Sequence, residues 1–351
     1  MNSTRDLVHF VGSVPLKDSE EVFRTLSREL GDFTSRIPDG ETGERIRWIV
    51  FQQRMLQQHP AMEVDDSVPP LPVKNWDGRV FREIHRLKMK DDIDPDAVEF
   101  VTTYDTAARD SYATFVKMRE AKVIRPGVKF MIALPTAMAS GLMYVSPNGR
   151  QRYVSAYERA LLRALRNILD WLPHDEISIQ FDVCQEVLML ENYFTEDPAP
   201  YRAVFFEQFR RLGAVVPPPV DLGFHLCYGS PGDENLVRPA TAQSLVNLMN
   251  DIGQAVERRI DFFHIPVPRV HTDYTFFAPL SEWSKRPETH LFLGLITRGD
   301  PVGNLKRIAA AKRIFPHFGV ASECGWGRTD PAQLPEIFSE HRKAAEAIAS
   351  A

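Results

Sequence analysis

Short apolar segments alternate with long amphipathic segments along this chain, and the alternation constrains the fold more than any other feature. A regular alternation of strands and helices is typical of a parallel sheet with crossover helices. The apolar runs predict eight strands, the number that a closed barrel requires, so we predict an α/β fold, a (β/α)8 TIM barrel. The predicted strands are Leu7–Val11, Phe33–Ile37, Val128–Leu134, Ile177–Phe181, Val220–Phe224, Ile260–Phe263, His290–Leu295 and Phe318–Ala321.

Apolar residues recur at helical spacing between the predicted strands. In the clearest case Leu161, Leu165 and Ile168 recur among Arg and Glu residues. Such a stripe is the face that a helix packs on a sheet, so we assign these segments to the scaffold. The predicted helices are Arg152–Leu172, Ala240–Arg258, Asn304–Ile314 and Pro331–Ala349, the last with Asp330 as a candidate N-cap.

The second and third predicted strands are separated by far more residues than a crossover needs. The extra segment runs from Ile46 to about Lys122 and contains a proline-rich turn at Val68–Pro72 and a helical pattern from about Pro95 to Glu120. We predict that residues 1–351 form a single barrel domain. We predict that residues 46–122 are an insertion over or beside the barrel mouth, and the sequence leaves both positions open.

Composition excludes several classes of partner. The formal net charge is −5 with both signs scattered, so there is no basic stripe for nucleic acid and no polybasic patch for a membrane surface. No apolar run reaches the length of a membrane span, and the first residues lack the apolar core of a secretory signal. Three cysteines are too few for a disulfide framework. We expect a cytoplasmic protein, and the sequence does not indicate its oligomeric state.

One histidine and two cysteines form the pattern that points to chemistry. His225 and Cys227 are two positions apart at the end of a predicted strand, where both side chains face the same way, and Cys324 follows a later strand. Imidazole and thiolate ligands suit Zn²⁺ better than Mg²⁺ or Ca²⁺. Burial in the core is the alternative for any single Cys, and it applies first to Cys184. The pattern therefore predicts a zinc site.

Polar residues also follow most of the other predicted strands, at the edge of the barrel where reacting groups belong. Alone, each carboxylate there could be a solvated or salt-bridged group, but its place on the same predicted edge as the zinc pattern favours a functional role. The residues at these strand ends are Gly12, Ser13, Glu41, Thr136, Asp182, His264 and Asp300.

The ordered set of strand-end motifs resembles the C-terminal catalytic barrel of cobalamin-independent methionine synthase. The resemblance covers nearly the whole chain and implies a short, single-barrel member of that family. It rests on Val11-Gly12-Ser13-Val14-Pro15, Asp39-Gly40-Glu41, Pro135-Thr136, Gln180-Phe181-Asp182, His225-Leu226-Cys227-Tyr228-Gly229 and Glu323-Cys324-Gly325.

The resemblance implies roles for the strand-end residues. His225, Cys227 and Cys324 match the family's zinc ligands. Gly12, Ser13, Glu41 and Asp182 match the positions that hold the amino-acid portion of homocysteine. The implied chemistry agrees with general principles, because a thiol coordinated to zinc is deprotonated at a pH where the free thiol is mostly protonated.

The chain departs from the family pattern at two positions. The family's fourth zinc ligand is a glutamate at the end of the sixth strand, where this sequence has His264, which we take as a candidate ligand. The family's Asp-x-His at the seventh strand, which protonates the departing folate, is replaced by Ile296–Pro301 without a histidine. His271 is the candidate general acid in its place.

The sequence therefore leads to one functional expectation with two alternatives. We expect a zinc-dependent methyl or alkyl transferase that activates a small, homocysteine-like thiol, with a small-molecule alkyl donor as its second partner. The first alternative keeps the zinc but transfers the thiol to an epoxide or demethylates a non-folate donor. The second is a zinc-binding barrel without turnover, in which four protein ligands close the metal site.

Overall fold

The computed structural model describes residues 6–349. The strands are β1 (Arg36–Pro38), β2 (Met62–Val64), β3 (Leu71–Lys74), β4 (Val80–Ile84), β5 (Leu87–Met89), β6 (Lys129–Pro135), β7 (Ile177–Val183), β8 (Asp221–Leu226), β9 (Phe262–Pro266), β10 (His290–Ile296) and β11 (Gly319–Ser322). The α-helices are α1 (Ser19–Leu30), α2 (Val50–Gln58), α3 (Tyr104–Glu120), α4 (Ala137–Tyr144), α5 (Arg150–Trp171), α6 (Gln185–Leu190), α7 (Tyr201–Val215), α8 (Gln243–Ala255), α9 (Pro301–Lys312) and α10 (Leu334–Ala349).

Seven of the strands form one curled parallel sheet in the order β1-β6-β7-β8-β9-β10-β11. The residues at the start of the described chain lie between the two edges of this sheet. Leu7 N and Val8 N donate to Phe33 O near β1 at 2.8 and 2.9 Å, and His9 N donates to Val320 O on β11 at 3.0 Å. These hydrogen bonds connect the two edges of the sheet and close the barrel, which confirms the predicted TIM-barrel class.

The first predicted strand, Leu7–Val11, is reduced to a single bridge between Val8 and Val320. The chain leaves the sheet after His9 because its backbone groups bond to loops instead of to a neighbouring strand. Ser13 O accepts from Trp326 N at 2.7 Å, and Val14 N donates to Gly40 O at 2.9 Å. This departure places residues 12 and 13 against the loop that follows β11.

The core lies on both faces of the sheet. Every residue of β7 is buried, as expected for a parallel strand that is covered on one face by helices and on the other by the barrel interior. On α5, which was predicted over Arg152–Leu172, Tyr157, Leu161, Leu165 and Ile168 are buried at helical spacing. Within the described residues no helix is long and apolar enough to cross a membrane.

The long connection between β1 and β6 folds into several small elements. It contains α2, the antiparallel pair β2 and β5, the antiparallel pair β3 and β4, and α3. Helix α3 packs against α1 and α5, which makes it the crossover helix between β1 and β6. The other elements of the connection precede α3.

Candidate metal centre

Three side chains meet at the carboxyl ends of β8 and β11. The ligand atoms of His225, Cys227 and Cys324 all lie within 4.8 Å of one another, and the two Sγ atoms are 3.8 Å apart. Two thiolates at about 2.3 Å from a tetrahedral zinc ion are about 3.8 Å apart, so the observed spacing matches that of two zinc ligands. The donor set and its spacing therefore fit zinc.

The strand geometry explains why these residues converge. His225 belongs to β8, and Cys227 continues the ladder beyond it, with its N–H donating to Val183 O at 3.1 Å. The two side chains thus share one side of an extended segment. Gly229 N donates to Cys227 Sγ at 3.3 Å, while Cys324 enters from the turn after β11.

The pKa values of the two thiols of the cluster are shifted in opposite directions. The hydrogen bond with Cys227 outweighs burial and, with His225 and Arg328 nearby, holds the pKa of Cys324 well below its ordinary value. Contacts with Cys184 and Cys324, together with burial, raise the pKa of Cys227 well above its ordinary value. Cys227 Sγ is the donor to Cys324 Sγ in this pair, and binding of a metal by both sulfurs would release protons.

His264 lies directly behind this cluster. It pairs in register with His225 across β8 and β9, and its side chain is completely buried. Its Nδ1 is 2.6 Å from Nδ1 of His225, and its Nε2 is 3.0 Å from Ser322 O. Burial lowers the pKa of His264 well below its ordinary value, so the ring is neutral at neutral pH. Both of its nitrogens are engaged by protein atoms.

Gly12 and Ser13 lie against the loop that carries Cys324. Ser13 Oγ accepts from Gly327 N at 3.2 Å. A Cβ atom added at Gly325 would lie 2.4 Å from Ser13 Oγ, and one added at Gly12 would lie 3.4 Å from the carboxyl carbon of Glu41. The glycine at 325 is therefore needed for the close approach of the two loops.

Two carboxyl groups, Glu41 and Asp182, lie beside the thiols. Burial, reinforced by the charge of Asp182, raises the pKa of Glu41 well above its ordinary value. Burial, reinforced by the charge of Cys324, likewise raises the pKa of Asp182. Gln180 Nε2 donates to Asp182 Oδ1 at 2.9 Å and fixes that side chain. Two neighbouring buried carboxyl groups are an arrangement suited to a positively charged group of a ligand.

A cavity of about 550 Å³ opens onto the cluster. Its inner end is formed by the thiols, His225 and the two carboxyl groups. Its outer wall is formed largely by the connection that precedes α3, with apolar side chains and two arginines. The residues of that connection on the wall are Arg47, Trp48, Ile49, Val50, Val73, Phe81 and Arg82.

The structure brings most of the predicted site residues to this cavity. The residues on its wall are Gly12, Ser13, Glu41, Asp182, His225, Cys227 and Cys324, with His264 behind them. His271 is placed elsewhere among the described residues: its Nε2 is 2.9 Å from Pro239 O and its ring stacks on Phe276 at 4.6 Å.

Several residues on the cavity wall have no counterpart among the sequence predictions. Cys184 is the clearest, because it lies on the wall beside Cys227. Val183 pairs with Leu226, so Cys184 and Cys227 occupy the next position on neighbouring strands. In the sequence, the position of Cys184 two residues after Asp182 could have indicated that it lies at the site. Trp48 and Phe81 carried no comparable signal, since nothing in the sequence fixes how the connection folds back over the barrel.

Comparison with known proteins gives similarity in structure alone. No protein-family profile matches the sequence, and no curated protein is significantly similar to it. A vitamin-B12-independent methionine synthase from Shewanella sp. W3-18-1, solved in complex with selenomethionine, superimposes with a TM-score of 0.61 at 13% identity. The match covers 95% of this chain and 88% of that one.

Two further solved structures are similar over comparable lengths. A provisionally described vitamin-B12-independent methionine synthase from Listeria monocytogenes has a TM-score of 0.56 at 15% identity, covering 94% of this chain and 86% of that one. A methyltransferase from Methanosarcina mazei has a TM-score of 0.55 at 9% identity, covering 96% and 94%. The chain therefore shares the barrel fold of methionine-synthase-like proteins, as the sequence resemblance implied.

Proposed function

We propose that this chain is a zinc-dependent methyl or alkyl transferase that activates a small thiol. The observation that carries the proposal is the His225, Cys227 and Cys324 cluster at the inner end of a cavity. The names of the similar structures, two methionine synthases and a methyltransferase, support the same class of reaction.

The three residues would hold the metal and leave one of four tetrahedral positions for a substrate. A bound zinc ion supplies Lewis acidity, which lowers the pKa of a coordinated substrate thiol and makes it a nucleophile at neutral pH. The cavity reaches all three residues, so a thiol can approach from the outside. This access favours a catalytic role over a metal site closed by protein ligands.

The acidic pair and the neighbouring loop would position the thiol substrate. Glu41 and Asp182 are close enough to influence each other's charge and the charge of Cys324. An ammonium group placed between the two carboxylates would neutralise them, while Gly12 and Ser13 bound the same end of the cavity. We therefore infer a thiol with an amino group nearby, of the homocysteine type. The binding of selenomethionine by the Shewanella protein supports an amino-acid substrate.

The alkyl donor would occupy the outer part of the cavity. Trp48, Val73 and Phe81 give that part an apolar surface, and Arg47 and Arg82 place positive charge there. These side chains favour a donor with an apolar body and an anionic group. The assignment of His271 as general acid stays a prediction; its Nε2 lies near Pro239 O and its ring stacks on Phe276.

The free cysteines also bear on the cellular compartment of the protein. Cys184, Cys227 and Cys324 are not paired in a disulfide. Thiolate ligands require reducing surroundings, so we propose that the protein is cytoplasmic. The single barrel domain over residues 1–351, with the segment 46–122 as an insertion, likewise stays a prediction.

The proposal is tested by metal analysis joined to an activity assay. We expect about one zinc per purified chain, and much less in Cys227→Ala and Cys324→Ala. The zinc-loaded chain is then incubated with homocysteine and a panel of methyl donors, including 5-methyltetrahydrofolate, and methionine is quantified by mass spectrometry. Zinc binding that is undiminished in both variants, or a wild-type chain without zinc, would contradict the proposal.

A further inference from the structure

We infer that His264 is a positioning residue, which fixes the orientation and tautomer of His225, and that it is not a fourth metal ligand. The inference rests on the proposed zinc site and goes beyond it by assigning a role to a residue outside the cluster. The geometry that carries it is a chain of two hydrogen bonds from the carbonyl of Ser322 through His264 to His225.

The carbonyl at the end of this chain determines where every hydrogen lies. Ser322 O can only accept, so His264 Nε2 must carry a hydrogen and donate it over 3.0 Å. A neutral imidazole has one hydrogen, so His264 Nδ1 is an acceptor. The partner at 2.6 Å, His225 Nδ1, must then be the donor. The lone pair of His225 is consequently on Nε2, which is the form that a metal ligand requires.

The distance between the two rings distinguishes this role from coordination. Two imidazole nitrogens bound at about 2.0–2.1 Å to one tetrahedral zinc ion are about 3.3 Å apart. The observed 2.6 Å between the Nδ1 atoms of His225 and His264 is that of a hydrogen bond instead. In addition, the group of ligand atoms within 4.8 Å of one another contains His225, Cys227 and Cys324 without His264.

A glycine on the neighbouring strand preserves this arrangement. A Cβ atom added at Gly294 of β10 would lie 2.8 Å from His264 Nε2, 2.8 Å from the backbone Cα of Glu323 and 2.9 Å from Ser322 O. Any side chain there would press on the hydrogen bond between the two groups. Gly294 therefore leaves room for the contact that sets the tautomer and for the backbone that leads into Cys324.

The role of His264 affects how many protein ligands the metal would have. With His264 engaged on both nitrogens, the three remaining protein ligands leave the fourth position for an external thiol. The glutamate that the family resemblance places at this strand end then needs no substitute among the ligands. His264 affects the metal only through the basicity and the ring orientation of His225.

The test compares two substitutions of His264 in the full-length chain. His264→Asn keeps an acceptor close to the place of Nδ1, whereas His264→Leu keeps the volume and removes the acceptor. Zinc affinity is measured by competition with a chromophoric chelator, and folding is checked by near-UV circular dichroism. We expect a loss of about 10–100-fold in affinity for His264→Leu and a clearly smaller loss for His264→Asn.

Two further measurements keep the inference open to refutation. X-ray absorption of the zinc-loaded wild type needs no substitution; it should find one histidine on zinc, and it decides the matter if His264→Leu does not fold. The absorption spectrum of the cobalt-loaded wild type should indicate two sulfur ligands and one histidine. X-ray absorption that finds two histidines on zinc, or equal affinity in wild type and His264→Leu, would overturn the inference. A wild type that binds no zinc would instead overturn the proposed function.

Discussion

Replacing Asp182 by asparagine should strengthen the fold and weaken substrate binding at the same time. Asp182 and Glu41 are both buried, and burial raises the pKa of each. Between the ordinary carboxyl pKa near 4 and these raised values, the folded chain binds more protons than the unfolded chain. The free energy of unfolding therefore falls as the pH rises through this window, and at neutral pH the buried carboxyl group of Asp182 destabilises the protein.

The magnitude of the stability gain follows from the contacts that asparagine keeps. Asparagine has the same shape, and its Oδ1 still accepts the 2.9 Å hydrogen bond from Gln180 Nε2. Each unit by which a pKa is raised corresponds to about 1.4 kcal/mol at a pH above the raised value. Replacing buried charges with neutral groups of similar size stabilises proteins by up to about 1–4 kcal/mol, so we expect a gain in this range at pH 7 and little gain near pH 4.

The expected loss of homocysteine affinity follows from the proposed hydrogen bond between its ammonium group and Asp182. A hydrogen bond to a charged group contributes about 1.5–3 kcal/mol, so homocysteine should bind about 10–150-fold more weakly to the variant. Its analogue without the amino group, 4-mercaptobutyrate, should bind equally well to both proteins. Isothermal titration calorimetry with the two thiols measures this difference on the zinc-loaded chain.

Stability is measured by urea unfolding at pH 4.5 and 7 with a chelator present, because a bound cation would favour the charged carboxylate. Asp39→Asn is the matched control, since Asp39 is also buried but pairs with Arg45 at 2.5 Å and accepts from Ser111 Oγ at 2.7 Å. Loss of that buried ion pair should cost about 3–5 kcal/mol. A variant of Asp182 that is less stable than wild type at pH 7, with unchanged homocysteine affinity, would refute the reasoning.

Three further variants test other parts of the site. The Cys184→Ala variant should retain about one zinc per chain, because the sulfur of Cys184 is outside the group of three ligand atoms. Metal analysis measures the zinc content, and loss of zinc would indicate that Cys184 is a ligand. His271→Ala should lower kcat and leave homocysteine affinity unchanged, because the predicted role of His271 is to protonate the leaving group; an unchanged kcat would contradict that role. The double variant Arg47→Gln, Arg82→Gln should raise KM for an anionic donor and leave thiol affinity unchanged, and an unaltered KM would contradict the donor assignment.

The sequence was sufficient to predict the barrel because its signal is local. Runs such as Ile177–Phe181 and the helical stripe of residues 152–172 identify their elements without knowledge of the partners. The order of those elements then places strand-end residues together, so His225, Cys227, Cys324 and Asp182 could be grouped before any coordinates were known.

The features that could not be predicted depend on register and on loop conformation. The strand predicted at Ile260–Phe263 is Phe262–Pro266 in the structure, a shift that moves His264 from a loop into the strand and behind His225. Sequence spacing alone cannot distinguish a ligand from a residue that supports one. The cavity wall at Trp48 and Phe81 depends on the folding of a long connection that lacks a regular pattern.

Entry of a substrate thiol into the zinc coordination shell is the most direct test of the account. Zinc X-ray absorption is recorded on the zinc-loaded chain with and without homocysteine, and with Cys324→Ser as the control. We predict two sulfur ligands without thiol and three with it, and one fewer in each state for the control. A shell that is unchanged at saturating homocysteine would contradict a thiol-activating site.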